Sequence, residues 1–184
     1  PNSTNYSETC ASIGVMMFGQ RMAAITGDAS YYDYVEKALY NTVIAGINIA
    51  GDRYFYVNPL EVVPEFCTEH TYMEHVKPVR QKWFGVACCP PNVGRTLASL
   101  GQYIYAEDEY GVYINQFISS TADTEVRESR LKIKMNSTLL QDGKVQIEVQ
   151  SSGPGNLNIR IPWYSEKCEC VQNGISIEIQ PEKG

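Results

Sequence analysis

The chain has 184 residues, of which 43% are hydrophobic, and its formal net charge is -6. This composition suits a protein that buries a core, and the acidic balance with scattered basic residues argues against a nucleic-acid partner. No apolar run approaches the roughly 18 residues of a membrane span, and the amino end lacks the pattern of a signal peptide.

Two helices are predicted in the first fifty residues. The first runs from about Ser7 to Thr26 and closes at Gly27, and the second begins after Asp28, a good N-cap, and stops at Gly46. Both carry apolar stripes that predict packing of helix against helix. The stripes comprise Cys10, Ile13, Met17, Ala24 and Ile25 in the first helix, and Tyr31, Val35, Ala38, Leu39 and Thr42 in the second.

A long irregular connection is predicted between Gly51 and Phe84. Within it "RYFYVNPLEVV" has an extended pattern, Asn58-Pro59 marks a turn, and the rest has no sustained apolar face. Connections of this length in a compact domain are usually functional when they are rich in aromatic residues. After Pro91, "NVGRTLASLGQYI" predicts a short helix.

From about Tyr103 onward the pattern predicts strands of an antiparallel sheet or sandwich. The alternating strings are "GVYINQFIS", "RLKIKMN", "KVQIEVQ", "LNIRIPW" and "ISIEIQ". A boundary near residue 101 therefore separates a helical part from a strand part. Neither part looks complete and the chain begins at Pro1, so we expect a segment of a larger enzyme.

Two adjacent cysteines, Cys88 and Cys89, precede the third predicted helix in "VACCPPN". If Pro90 or Pro91 occupies the first helical turn, both thiols lie at the positive end of that helix, which lowers a thiol pKa and favours the reactive thiolate. The alternative interpretation is two small buried hydrophobes beside a helix start. Adjacent cysteines form only a strained disulfide, so metal or thiol chemistry is favoured over a bridge.

Further ligands are available in "SETC", where Glu8 and Cys10 are two residues apart. Together with Cys88 and Cys89 they make three thiolates and one carboxylate, a set that suits four-coordinate zinc. The spacing is not that of a standard zinc finger. A thiol redox switch at the cysteine pair is a competing hypothesis that predicts no metal.

Other candidates fall in the irregular connection and the strand part. His70 and His75 could extend a metal site with Cys67 and Glu69 or Glu74, although solvated loop residues are the simpler interpretation. Glu61, Glu65 and Glu69 are candidates for proton transfer, and Trp83 and Trp163 for stacking on a sugar. Cys168 and Cys170 alternate along a predicted strand or turn and receive no function.

With "ETC", "YFYVNPLE" and above all "QKWFGVACCPPNVGRTLASLGQYIYA", residues 1 to 118 resemble glycoside hydrolase family 127, typified by beta-L-arabinofuranosidase. The resemblance implies an α plus β fold: residues 1-101 would be the C-terminal segment of an (α/α)6 toroid, the helical catalytic domain, and residues 102-184 a segment of an antiparallel β-sandwich, both incomplete.

The resemblance also implies a retaining glycosidase that uses zinc. Its ligands would be Glu8, Cys10, Cys88 and Cys89, and Cys88 would be the nucleophile that attacks the anomeric carbon of a terminal arabinofuranose. Tyr56 would contact the sugar, so the expected partner is an arabinofuranose-containing oligosaccharide or glycoconjugate. The family's acid/base glutamate lies further upstream than this chain extends, and the isolated chain is therefore expected to bind zinc better than it catalyses.

A hypothesis from a different class is a non-catalytic module that zinc stabilises and that binds carbohydrate or supports assembly. Both hypotheses predict zinc, so metal content does not separate them. Labelling of Cys88 by a cysteine-reactive arabinofuranose mimic separates the two hypotheses, because only the glycosidase hypothesis predicts it.

Overall fold

The computed structural model describes residues 2–68 and 72–181 and combines helices with small sheets, as predicted. The helices are α1 (Thr9–Thr26), α2 (Tyr31–Ala38), α3 (Cys89–Ala98), α4 (Gly101–Ile104) and α5 (Leu139–Asp142), with short 3-10 turns at Asn2–Thr4 and Pro64–Phe66. The strands are β1 (Tyr105–Glu107), β2 (Gly111–Ile114), β3 (Ser120–Val126), β4 (Ser129–Ser137), β5 (Val145–Ser151), β6 (Asn156–Ile159), β7 (Cys170–Gln172) and β8 (Ile175–Ile177). In these ranges none of the helices combines the length and hydropathy that crossing a bilayer requires.

Helix α1 ends where the glycine signal predicts. Gly27 adopts a φ of 66° and its N–H donates to the Ala23 carbonyl, which terminates the helix. Ile13 is buried, but Ile25, expected in the same stripe, is 78% exposed. The prediction for Ile25 was wrong because α1 is apolar on most of its circumference, so periodicity does not identify its buried face.

The second predicted helix is α-helical in its first part and π-helical in its second. The Asp28 side chain accepts the Ser30 N–H before α2, and after Ala38 the chain widens into a π-helical turn, Leu39–Ile44. This turn shifts the buried face, because it adds residues per turn. The buried side chains are Tyr32, Val35, Leu39 and Val43, so Val35 and Leu39 are confirmed in the core while Tyr31 and Thr42 are only half-buried.

The described chain forms two compact units. The first consists of residues 1–22 and 33–99, and the second of residues 23–32 and 100–184. In the first unit the predicted extended segment makes only isolated antiparallel bridges, which join Glu8 to Val57, Ile47 to Tyr54 and Tyr54 to Gln81. A core cluster of Tyr56, Val57, Met73, Val76 and Cys89 lies around these bridges.

The second unit holds three small sheets with strand orders β1-β2-β6, β3-β4-β5 and β7-β8. All pairings are antiparallel except β2 with β6, which run parallel. The sheets are thus mainly antiparallel, as predicted, and this parallel pair is the exception among the described strands. β2 and β6 are far apart in sequence, and the chain between them provides the long crossover connection that a parallel pair needs.

Strand boundaries also differ from the alternating strings. The first string, residues 111–119, is a strand only as far as Ile114, and the unpredicted strand β3 follows. β3 alternates threonine and alanine with acidic residues, so its apolar signal is weak. It pairs with β4, whose inner face, including Leu131, Ile133 and Met135, lies in the core cluster of this unit.

Gly111 permits the close parallel approach of β2 and β6. A Cβ atom at this position would lie 2.2 Å from the Asn156 carbonyl oxygen, a backbone atom that cannot move independently. Gly101, in the same unit, would place a Cβ in open space.

We therefore expect Gly111→Ala to lower the free energy of unfolding by about 1–3 kcal/mol, the usual cost of overpacking. Gly101→Ala, the matched control, is expected to change it by less than about 0.5 kcal/mol. Denaturant unfolding of the two variants measures the difference. Equal stabilities for both variants would contradict the parallel register.

Candidate metal centre

One carboxyl group and three thiols from two distant parts of the sequence meet in the first unit. The ligand atoms of Glu8, Cys10, Cys88 and Cys89 all lie within 4.8 Å of one another. Glu8, Cys10 and Cys88 are half-buried, and Cys89 is 0% exposed. The four residues singled out in the sequence as a ligand set are thus brought together.

The segment before α1 is held by the strand-like residues 54–58. The Thr9 N–H donates to the Tyr56 carbonyl at 3.0 Å, and the Asn58 N–H donates to the Ser7 carbonyl at 3.0 Å. The Thr9 hydroxyl donates to the Phe55 carbonyl. These bonds fix Glu8 just before α1 and Cys10 in its first turn.

The second pair of candidate ligands lies at the start of α3. Cys88 occupies the N-cap position and Cys89 is the first helical residue, followed by prolines in the first turn, where a missing N–H is tolerated. The helix thus begins at Cys89, not after Pro91 as predicted. Gly85, with a φ of 74°, turns the chain three residues before Cys88.

Both ligand pairs therefore lie at helix amino ends. The unpaired N–H groups and aligned peptide dipoles of α1 and α3 give these ends partial positive charge, which favours thiolates and carboxylates. This confirms the predicted placement of Cys88 and Cys89 at a helix start. The sequence interpretation did not assign the same role to the start of α1.

The separations fit a four-coordinate ion. Cys10 Sγ lies 3.3 Å from Cys88 Sγ and 3.4 Å from Cys89 Sγ, while Glu8 Oε1 lies 3.7 and 3.9 Å from the same two sulfurs. Tetrahedral zinc with Zn–S bonds of about 2.3 Å sets sulfur–sulfur distances of roughly 3.8 Å. A small outward movement of the sulfurs would accommodate such an ion.

The electrostatics of the cluster point the same way. Burial raises the pKa of Cys89, and the hydrogen bond shared with Cys10 adds to this. At Cys88 the hydrogen bond from the Tyr56 hydroxyl lowers the pKa, but the Cys10 thiol, burial and the charge of Glu8 outweigh it, so the pKa is raised. Four acidic groups this close repel one another when ionised, and a cation removes that penalty.

Tyr56, the expected sugar contact, lies beside the cluster. It is 6% exposed, and the hydrogen bond to Cys88, followed by burial, raises its pKa. Its carbonyl lies 3.8 Å from Cys89 Sγ as well as accepting the Thr9 N–H. One residue therefore contacts both ligand-bearing helix starts.

Three residues near the cluster were missed as a group in the sequence. Tyr6, His75 and Phe84 pack around Tyr56 or one another with ring centroids 4.6 to 6.4 Å apart. Burial and then the charge of Glu8 raise the pKa of Tyr6. The available signal was proximity in sequence, since Tyr6 is two residues before Glu8 and Phe84 is four residues before Cys88.

The remaining sequence candidates lie outside the ligand cluster as described. His75 bonds Tyr6 rather than a ligand, Cys67 donates to the Val63 carbonyl, and Glu61 and Glu65 are exposed. His70 and Glu69 lie outside the described residues. All six cysteines are free thiols in this structure.

The two tryptophans proposed for sugar stacking, and the two cysteines that received no function, are at least partly exposed. Trp83 is 55% exposed in the first unit, and Trp163 is 61% exposed in the second, where it packs edge-on against Tyr164. Cys168 is exposed and Cys170 is half-buried.

Comparison with known proteins gives matches along nearly the whole chain. Residues 1–102 match the family model described as the beta-L-arabinofuranosidase GH127 catalytic domain, and residues 111–184 match the model of the GH127 middle domain. A non-reducing end beta-L-arabinofuranosidase of Bifidobacterium longum subsp. longum is 39% identical over 172 residues. That match covers 90% of this chain and 26% of the relative.

Solved structures agree. A GH127 beta-L-arabinofuranosidase from Geobacillus stearothermophilus T6 superposes with a TM-score of 0.91 at 41% identity, covering 100% of this chain and 29% of that one. A protein described as a glycoside hydrolase gives 0.86 at 33% identity, with 99% and 30% covered, and a GH127 beta-arabinofuranosidase gives 0.85 at 29% identity, with 100% and 30% covered.

The chain therefore spans little more than a quarter of the length of these relatives. Because the catalytic-domain model alone matches more than half of its residues, the chain belongs to glycoside hydrolase family 127.

Proposed function

We propose that the whole protein is a retaining beta-L-arabinofuranosidase in which Cys88 is the nucleophile and Glu8, Cys10, Cys88 and Cys89 hold zinc. The observation that carries the proposal is the convergence of these three thiols and one carboxylate within 4.8 Å at two helix starts. Family membership and the names of the relatives support the reaction class. The substrate would be an arabinofuranose-containing oligosaccharide or glycoconjugate.

Zinc is favoured by the chemistry of the donors. Thiolates are soft ligands, and three of them with one carboxylate suit zinc better than magnesium or calcium, which prefer oxygen. When bound, zinc supplies the positive charge that keeps the cluster ionised at neutral pH.

Cys88 is the better nucleophile of the adjacent pair. Cys89 is fully buried, whereas Cys88 is half-buried and so more accessible to a substrate. Attack by Cys88 Sγ forms a carbon–sulfur bond at the anomeric carbon as the bond to the leaving oxygen breaks, and that oxygen takes a proton from an acid. Water then displaces the sulfur, so two inversions give overall retention.

The other residues have supporting roles in this proposal. Tyr56 belongs to the core cluster against which Cys88 packs, and it would contact the arabinofuranose ring. The proton donor would be a glutamate upstream of Glu8, as the family resemblance implies.

We also infer that residues 1–101 are the C-terminal segment of a helical toroid and residues 102–184 a β-sandwich segment. The extents of the two family-model matches support this division.

Cys10→Ser is expected to reduce bound zinc far below one ion per chain, because it removes the sulfur nearest to both adjacent cysteines. Cys168→Ser, which changes an exposed cysteine of the second unit, is the control and should retain the metal. Elemental analysis after gel filtration measures the content. Equal zinc in the two variants would refute the ligand set.

Cys88→Ser in the whole protein is expected to reduce hydrolysis of a terminal beta-L-arabinofuranoside by about 10³-fold or more, since a serine hydroxyl is a far weaker nucleophile. Cys67→Ser, outside the ligand cluster, should retain activity. A cysteine-reactive arabinofuranose mimic should label Cys88 in the unmodified protein, as peptide mass spectrometry will show. Undiminished hydrolysis by Cys88→Ser would refute Cys88 as the nucleophile and leave the metal site a structural role, and an inactive whole protein with unlabelled Cys88 would support the non-catalytic zinc module.

A further inference from the structure

Two of the four candidate ligands, Glu8 and Cys10, flank a residue that is almost completely buried. This residue, Thr9, is 2% exposed. Its N–H donates to the Tyr56 carbonyl at 3.0 Å, and its hydroxyl donates to the Phe55 carbonyl at 3.1 Å. The orientation of residues 7–10, here called the ligand segment, is therefore set by the chain beside it.

The side chain of Asn58 adds a second connection to the ligand segment. Its Nδ2 donates to the Thr9 hydroxyl at 3.1 Å and lies 3.5 Å from the Ser7 carbonyl, which also accepts the Asn58 N–H at 3.0 Å. The Thr9 hydroxyl thus accepts one hydrogen bond and donates another, which fixes both its rotamer and its proton. One asparagine therefore contacts the residue between the two ligands and the residue before them.

Ser7, immediately before Glu8, has an unusual backbone conformation. Its φ is 44°, in the left-handed region that a residue with a Cβ rarely adopts. Such a residue keeps this conformation only where its surroundings hold it. At Ser7 this support comes from Asn58, because the backbone and side-chain nitrogens of Asn58 both lie against the Ser7 carbonyl. The turn at Ser7 sets the direction in which the chain reaches Glu8.

The sequence around Asn58 favours this arrangement. Pro59 follows Asn58 and disfavours the helical conformation for the residue before it, so an extended Asn58 is favoured. Extended residues pair edge to edge, and Glu8 and Val57 form an antiparallel bridge at this place. Asn58-Pro59, singled out in the sequence as a turn, therefore also contributes a contact to the ligand segment.

The position of the ligand segment determines how the two pairs of ligands meet. Cys10 Sγ lies 3.3 and 3.4 Å from the sulfurs of Cys88 and Cys89, and Glu8 Oε1 lies 3.7 and 3.9 Å from the same sulfurs. The two pairs belong to distant parts of the sequence. The distances between them therefore depend on the contacts that hold the ligand segment in place.

We propose that Asn58 is a positioning residue for the metal centre. Through the Thr9 hydroxyl and the Ser7 carbonyl, it holds the segment that carries Glu8 and Cys10 within reach of the adjacent cysteines. The Asn58 side chain bonds Thr9 and Ser7 rather than a ligand atom, so its effect on an ion is indirect. The inference deepens the proposed function and rests on its ligand set.

The variants remove these contacts one at a time. Asn58→Leu keeps the approximate shape of the side chain and removes its N–H groups. Thr9→Val replaces the hydroxyl with a methyl group, whereas Thr9→Ser keeps the hydroxyl. Asn48→Leu is the matched control, because Asn48 is also a half-buried asparagine of the first unit, but its side chain bonds Asp52 and Arg53 in an exposed turn.

In the whole protein, Asn58→Leu and Thr9→Val are each expected to weaken zinc binding by about 10- to 100-fold, because two ligands lose their fixed position. Thr9→Ser and Asn48→Leu should change the affinity by less than about threefold. Competition with a chromophoric chelator of known zinc affinity measures the dissociation constants. Zinc binding by Asn58→Leu that is as tight as that by Asn48→Leu overturns the proposal.

The double variant tests whether Asn58 acts through Thr9. In the Thr9→Val background, Asn58→Leu has one contact fewer to remove, so the two losses of affinity should be clearly less than multiplicative. Fully multiplicative losses overturn the route through the Thr9 hydroxyl. The pair Thr9→Val and Thr9→Ser tests the same hydroxyl if Asn58→Leu does not fold.

Hydrogen exchange gives a readout that needs no metal. In the metal-free protein, Asn58→Leu should raise the exchange rate of the Thr9 N–H by about tenfold, because the bond to the Tyr56 carbonyl opens more easily when the segment is less firmly held. Asn48→Leu should leave this rate unchanged. Mass spectrometry of peptides that cover the ligand segment measures the exchange. Equal rates in the two variants overturn the inference.

The two readouts separate this inference from the proposed function. If the unmodified protein binds no zinc, the proposed ligand set is refuted, and the metal role of Asn58 fails with it, whatever the exchange rates show. If zinc binds equally tightly to the unmodified protein, Asn58→Leu and Thr9→Val, the ligand set stands and the positioning role of Asn58 alone is overturned.

Discussion

Mutual repulsion among four acidic side chains is the constraint on which this site depends. Three thiols and a carboxyl group share a space less than 5 Å across, where ionising them together is costly. Burial raises the pKa of Cys89, and the hydrogen bond with Cys10, burial and nearby charge outweigh the lowering effect of Tyr56 on the pKa of Cys88. Two helix amino ends reduce that cost, but partial dipole charges do not neutralise several full negative charges. A bound dication does, and its binding energy then contributes to holding the two helix starts together.

The backbone of Tyr56 connects that constraint to the fold. Its carbonyl accepts the Thr9 N–H of α1 and lies against the Cys89 sulfur at the start of α3. Its side chain belongs to the same core cluster as Val57, Met73 and Val76. Packing and ligand geometry are therefore not separable here, because a movement of Tyr56 displaces both helix starts.

The sequence predicted the clustering of Glu8, Cys10, Cys88 and Cys89 better than the surroundings of that cluster. Glu8, Cys10 and the adjacent cysteines stand out because acidic and thiol groups cluster locally, and prolines mark a helix start. The convergence of segments 78 residues apart is a tertiary event that local patterns do not encode. The same limit hid the contact of His75 with Tyr6 and the parallel pairing of β2 with β6, since each joins residues far apart in sequence.

The asymmetry of the adjacent cysteines follows from where α3 begins. Cys88, at the N-cap, precedes the helical turn and remains half-buried, whereas Cys89, the first helical residue, is directed into the core against the Tyr56 carbonyl. A helix start one residue later would move both thiols relative to this core. The prolines after Cys89 favour the observed start, because each lacks the N–H that an interior helical position would need. The sequence "CCPPN" thus gives two chemically identical side chains different environments, one fully buried and the other half-buried.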